Sequence, residues 1–178
     1  MKKIKASVLA IALGVGVGNA LPLFDVDFGM SLGTDFNVVK GWKFNNDTNF
    51  TIGGYARGWF KVSKLRLAPF IKYENTAGVK LNTAFQSIVT GESKRDNNLQ
   101  YGLLLGVNFG ILTPYVGMGY SQFVNSNLSD TWALNYGLAI KIPVIPMTAG
   151  IDASWQQPFL DGKQLNVHRI AVTLGVRF

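Results

Sequence analysis

The side chains of this chain alternate in character, and that rhythm limits the fold more than any other feature. From Leu99 to Phe109 the odd positions read Leu99, Tyr101, Leu103, Leu105, Val107 and Phe109. The even positions between them read Gln100, Gly102, Leu104, Gly106 and Asn108. From Trp132 to Ile142 one face carries Trp132, Leu134, Tyr136, Leu138, Ile140 and Ile142, and the other Ala133, Asn135, Gly137, Ala139 and Lys141. The stretch ending at Phe178 sets Ile170, Val172, Leu174, Val176 and Phe178 against Arg169, Ala171, Thr173, Gly175 and Arg177. A period of two is the mark of a β-strand whose two faces meet different surroundings. A helix would scatter these charges around its circumference, whereas a strand sends them all to one side.

Hydrophobic residues make up 48% of the chain, yet beyond position 20 no run approaches the roughly 20 apolar residues that a membrane-spanning helix requires. Two all-β arrangements accommodate apolar residues dispersed in this way. A soluble sandwich buries its apolar faces against a second sheet. A membrane barrel turns them to lipid, crosses with about 9–11 residues per strand, and places aromatic rings at both interfaces. The aromatics here gather near expected strand ends, at Phe50, Phe60, Tyr73, Tyr101, Phe109, Trp132, Trp155 and Phe178. The expected fold is therefore all-β, a transmembrane up-and-down antiparallel β-barrel.

The first twenty residues read as an export signal. Lys2, Lys3 and Lys5 form a basic start, an apolar run through Val17 follows, and Gly18-Asn19-Ala20 supplies small residues at the −3 and −1 positions of a cleavage site. Cleavage after Ala20 is expected, leaving 21–178 as the barrel. The apolar run is too short to span a bilayer. With no cysteine anywhere, lipid attachment through a thiol, disulfides and thiolate metal sites are all excluded. Removing the three signal lysines takes the formal charge of +7 to about +4. The remaining Lys and Arg are scattered, so the clustered basic face of a nucleic-acid binder is missing.

The alternation marks eight strands, near 24–33, 48–61, 64–74, 98–109, 113–124, 131–142, 147–157 and 166–178. Tight turns fall at Val62-Ser63-Lys64, Gly110-Ile111-Leu112 and Pro143-Val144-Ile145-Pro146, where proline's missing donor is harmless. Longer connections occupy 34–47, 75–97, 125–130 and 158–165. Short turns face the periplasm and long loops the outside in such barrels. A ten-strand alternative counts Val79–Val89 and Phe36–Phe44 as further strands.

In series, Tyr101-Gly-Leu-Leu-Leu-Gly-Val-Asn-Phe-Gly110, Pro114-Tyr-Val-Gly-Met-Gly-Tyr120 and Ala171-Val-Thr-Leu-Gly-Val-Arg-Phe178 resemble the small outer-membrane barrels typified by OmpA- and OmpX-type domains. The resemblance spans the mature chain. It implies an integral outer-membrane protein, in contact with outer-membrane lipid and lipopolysaccharide and inserted by the barrel-assembly machinery. Leu174, Val176 and Phe178 correspond to the assembly signal of that family. Thr173 stands where the family often has glycine, with Gly175 the nearest one. The wall-anchoring role of longer relatives is not carried over.

Eight strands enclose an interior just wide enough for side chains to fill. Parity turns Asp25, Asp27, Arg57, Lys61, Arg66, Lys72, Glu74, Lys141, Asp152, Arg169 and Arg177 inward. Buried charges must pair, so Asp27 and Asp152 with Arg57, Arg66 and Arg169 form the expected network. Tyr55, Trp59, Phe70 and Leu104 share the same interior. A plugged lumen is the expectation, with a narrow channel or a conduit for hydrophobic compounds as the alternative.

Hydrolytic barrels use a serine, a histidine and a carboxylate, the histidine taking the serine's proton. This chain holds one histidine, His168, and Ile170 stands where lipid A deacylase barrels have serine. Neither an enzyme nor any cofactor is expected. Function is expected on loops, with Glu92, Lys94, Arg95 and Asp96 as candidates for contact with a host or surface ligand.

Overall fold

The computed structural model describes residues 23–39, 43–44, 49–77, 95–124, 127–160 and 162–178. Eight long strands make up a closed barrel: β1 Phe24–Val39, β2 Asn49–Val62, β3 Leu65–Ala77, β4 Arg95–Val107, β5 Leu112–Val124, β6 Thr131–Lys141, β7 Met147–Gln156 and β8 Val167–Arg177. Each pairs antiparallel with the next, and β8 returns to β1 from Asp27↔Arg177 to Asn37↔Val167. Val26 and Phe178 exchange reciprocal backbone hydrogen bonds of 2.9 Å at the seam. Closure leaves neither edge with unpaired backbone groups, which lipid could not satisfy.

The stagger follows from the registers. Stepping across paired residues from Asp27 leads through Arg57, Phe70, Gly102, Gly119, Ala133, Gln156 and Val167. The circuit re-enters β1 at Asn37, ten positions beyond its start. Eight strands with that offset tilt by about 40° and close around an interior only wide enough for side chains.

The two faces differ as the alternation requires. Outward residues such as Met30, Met118, Trp132 and Val172 are more than half exposed, while inward Asp27, Trp59 and Gln100 have no exposed surface. Tyr101, Tyr120 and Trp132 form a continuous outward ladder across β4, β5 and β6, with ring centroids 6.0 and 5.7 Å apart. Inside, Trp59, Ala68, Phe70, Leu104, Tyr115 and Ala139 form the apolar core.

Three strands are longer than their sequence suggests. β1 continues from 34 to 39, Lys43–Phe44 pairs back on its end, β3 extends through 75–77, and β4 begins at Arg95. Polar residues such as Asp35, Thr76 and Asn97 made these segments read as loop. Because the lumen is itself polar, such residues do not end a strand; Asp35 and Thr76 are buried inside it. The short turns lie where expected, with Ser63 at φ 59° and Gly110 at φ 70° supplying left-handed conformations. Residues 1–20, and the Val79–Val89 segment of the ten-strand alternative, lie outside the described residues. The strand order that is described is eight.

Candidate functional site in the barrel lumen

The inward positions build the site. At the short-turn end, the start of β1 supplies Asp25, the β2–β3 hairpin supplies Lys61 and Arg66 as a register pair, and the end of β8 supplies Arg177. Three cations meet one carboxylate. Lys61 Nζ lies 2.5 Å from Asp25 Oδ1, and Arg177 Nε and Arg66 Nη1 approach Oδ2 at 3.2 and 3.6 Å. The Arg177 guanidinium also lies over the Trp59 ring, 5.7 Å from its centroid.

Deeper in the barrel Asp152 of β7 is the hub. It accepts hydrogen bonds from Arg57 Nη2 at 2.6 Å, Lys72 Nζ at 2.9 Å and the Tyr115 hydroxyl at 2.7 Å. Arg57 lies between two rings, 4.3 Å from the Tyr55 centroid and 4.9 Å from that of Tyr115. Its other neighbour is Asp27, at 3.9 Å, which accepts from the Tyr55 hydroxyl at 3.1 Å. Lys72 reaches Asn135 Oδ1 at 3.3 Å and Glu74 at 3.8 Å. Cation–π stacking and charge-assisted hydrogen bonds thus converge on one guanidinium. Glycines make room for the rings: a Cβ on Gly137 would come within 2.5 Å of the Tyr115 hydroxyl, and one on Gly119 within 2.8 Å of the Phe70 ring.

Towards the long-loop end, Arg169 of β8 forks onto Asp35 and bonds Glu74. Its Nη2 donates to Asp35 Oδ2 at 2.8 Å, and the Thr76 hydroxyl donates to the same oxygen at 3.1 Å. Beside this lies an uncharged cluster. The Ser121 hydroxyl sits 2.6 Å from Asn98 Oδ1 and 2.7 Å from Gln156 Oε1, and Asn98 Nδ2 donates to Gln156 Oε1 at 3.3 Å.

The structure joins Arg57 directly to Asp27 and Asp152, and Lys72 and Glu74 link that pair onward to Arg169. Arg66 does not join them. Second in its strand and paired with Lys61 across the hairpin, it sits at the barrel's end beside Asp25. Lys141, although on the inward parity, is exposed where β6 ends. The sequence reading missed Asp35, which it placed in a loop, and passed over Tyr115, Asn98, Ser121 and Gln156. Their signal was the same parity, applied to polar residues without charge.

Tyr55, Trp59, Phe70 and Leu104 are all buried in the lumen, and Trp59 packs edge-on against Tyr115 at 5.9 Å. His168 points to the outer surface, stacked 6.3 Å from Trp155. Leu174, Val176 and Phe178 lie on the outward face of β8 and of the residue that follows it. Glu92 and Lys94 lie outside the described residues. The backbones of Arg95 and Asp96 begin β4, paired with Ala77 and Thr76.

Among the described residues five inward carboxylates meet six inward cations, and they are unevenly placed. Asp25 forms ion pairs with Lys61, Arg66 and Arg177 at the short-turn end, whereas the ion pairs of Asp27, Asp35, Glu74 and Asp152 run to Arg57, Lys72 and Arg169, with Arg177 opposite Asp27 in the register. Such an interior ties strands from around the ring to one another.

A closed antiparallel cylinder with an apolar outside and a packed, charge-paired inside defines the small transmembrane β-barrel class. Among solved structures the chain is similar to Ail, the attachment invasion locus protein of Yersinia pestis, at 12% identity and a TM-score of 0.50, over 89% of this chain and 100% of that one. It is also similar to a de novo designed transmembrane β-barrel, at 12% identity and a TM-score of 0.51, over 90% and 100%. A major outer membrane protein of Thermus thermophilus aligns at 13% identity with a TM-score of 0.43, over 86% and 99%. The closed ring of eight strands and the first two of these likenesses give the chain the eight-stranded outer-membrane barrel fold. No family model matches it, and no curated protein matches it in sequence.

Proposed function

We propose that this protein is an integral bacterial outer-membrane barrel whose lumen is plugged and whose role, in envelope integrity, adhesion or host contact, is exercised by its external loops. The observation that carries the reading is the filled interior. Arg57, pinned between two tyrosine rings and bonded to Asp152, crosses the lumen where a channel would need water. Export through a signal cleaved after Ala20, assembly through the outward Leu174, Val176 and Phe178, and lipopolysaccharide around the apolar belt belong to the same reading. Glu92 and Lys94, ahead of β4, with Arg95 and Asp96, which open that strand instead of belonging to a loop, are its candidates for ligand contact.

The test has two arms. Purified protein that migrates differently before and after boiling is a folded barrel, and in planar bilayers it is expected to give no conductance steps. Regular steps would replace the plug with a channel. Deleting residues 91–94, ahead of β4, is expected to reduce cell adhesion or serum survival while leaving heat-modifiable migration intact; unchanged behaviour would remove this segment from the proposal.

A further inference from the structure

The lumen charges do not balance, and the surplus lies at one end. Asp25 has two oxygens for three cations. Lys61 lies on Oδ1 and Arg177 Nε donates to Oδ2, which leaves Arg66 Nη1 at 3.6 Å, beyond hydrogen-bond range. No rearrangement of partners removes the excess among the described residues. Asp152 serves Arg57, Glu74 serves Lys72 and Asp35 serves Arg169, and Asp27 stands opposite Arg177 in the register. With Asp25 given to Lys61, Arg66 is the cation left over.

The same two arginines hold donors without acceptors. Both are more than nine-tenths buried. Nε and Nη1 of Arg66 and both Nη atoms of Arg177 are covered and have no hydrogen-bond partner among the described residues. A buried N–H left unpaired is costly, and more so on a charged group. Water could satisfy the donors but not the surplus charge; an anion does both. The rim carries the same sign. Lys61 is 24% exposed beside Arg66, Lys64 and Lys141 are exposed, and the three tight turns contain no acidic residue.

We propose that the short-turn mouth of the lumen binds a phosphate group, held by Arg66 and Arg177 with Lys61 at the entrance. Guanidinium forks match planar carboxylates and tetrahedral phosphates alike. A carboxylate, however, repeats what Asp25 already supplies, two oxygens in one plane, whereas a phosphate spreads its oxygens so that two forks and an ammonium can share them. The site follows from the lumen charges, and only its facing the periplasm rests on the outer-membrane reading above. The phosphate has two possible sources there, a free anion or a phospholipid headgroup of the inner leaflet.

Full-length protein refolded in octyl glucoside is titrated calorimetrically with inorganic phosphate at constant ionic strength. Saturable binding of one phosphate per barrel is expected, weakened at least about tenfold in Arg66→Gln and for acetate in place of phosphate. A Lys64→Gln, Lys141→Gln double variant, which removes two rim charges outside the mouth, is expected to lose less than about threefold. Absence of saturable binding, equal affinity in Arg66→Gln, equal affinity for acetate, or a loss in the rim variant as large as that in Arg66→Gln would each overturn the site. Arg66→Gln is the smaller side chain and gives up only the 3.6 Å pair. Should it fail to fold, Arg66→Lys, which keeps the charge and loses the fork, is titrated instead, with the same criterion of weakened binding. Native mass spectrometry after extraction from nanodiscs of phosphatidylcholine and phosphatidylglycerol separates the sources. One phosphatidylglycerol retained by wild type and lost from the variant supports a headgroup; none retained, with phosphate titrating as expected, supports the free anion. Heat-modifiable migration is followed throughout, so that a folded barrel that binds no phosphate refutes the site and leaves the barrel reading standing.

Discussion

Asp152 shows what one residue does in this interior. It is a short side chain on β7 that holds Arg57 from β2, Lys72 from β3 and Tyr115 from β5, and so ties strands from opposite parts of the wall. Removing one partner of a buried pair leaves the other charge uncompensated, at a cost of about 3–5 kcal/mol. Removing a hydroxyl that donates to a carboxylate costs about 1.5–3 kcal/mol. Asp152→Asn, which leaves Arg57 and Lys72 only their longer contacts to Asp27 and Glu74, is therefore expected to destabilise the barrel by more than Tyr115→Phe does. Urea unfolding in phospholipid vesicles, followed by tryptophan fluorescence, checks the order; equal midpoints for the two variants would show that Asp152 is not the hub. Arg66 marks the limit of reading such pairs from parity. Which face it occupies follows from alternation, but which carboxylate it meets depends on its height in the barrel, set by the hairpin joining it to Lys61.

Among the elements, β8 carries two duties on two faces. Its inward face supplies Arg169 and Arg177 to the lumen, at opposite ends. Its outward face presents Ile170, Val172, Leu174 and Val176, with Phe178 beyond, and its backbone closes the ring on β1. Phe178 exchanges both backbone bonds with Val26 and its ring lies 6.1 Å from that of Phe28. If the outward face is also what the assembly machinery reads, Phe178→Ala should lower the amount of folded protein in the outer membrane severalfold. In the same variant, refolding of purified chain in detergent should proceed nearly as in wild type, because the backbone bonds remain. Equal loss in both settings would make Phe178 a packing residue only. The element ends were the least legible part of the sequence. Asp35 and Thr76 look like loop residues in any soluble protein, and a polar lumen lets the strands continue through them, while Asn97 on the outward face is held by Tyr73 and Asn75.

For the whole molecule, the consequential feature is asymmetry, in two directions. Along the axis, cations crowd the short-turn end around Asp25, and carboxylates outnumber cations beyond it. Around the axis, a bulky aromatic wall on β4–β6 faces away from a wall on β1–β3 whose middle strand presents Gly54, Ala56 and Gly58 outward. Neither is a property of a single strand. The first arises because the stagger of ten residues brings Asp25, Lys61, Arg66 and Arg177 to one level from three separate stretches of chain. The second arises because β1, β2 and β3 are neighbours, so that small residues on the middle strand lie between large ones on its flanks.

Alternation separated the two faces and marked the strands and the three tight turns, because each is a local consequence of a backbone whose successive side chains point in opposite directions. The aromatics at strand ends, with the export signal, turned that pattern into a barrel, of eight strands with ten as the alternative. The pairing of Arg169 with Asp35 and Glu74, the separation of Arg66 from Asp152, and the meeting of Lys61, Arg66 and Arg177 at Asp25 required the closed cylinder. Each joins residues whose proximity is fixed by strand register and stagger, quantities that no stretch of sequence carries within itself.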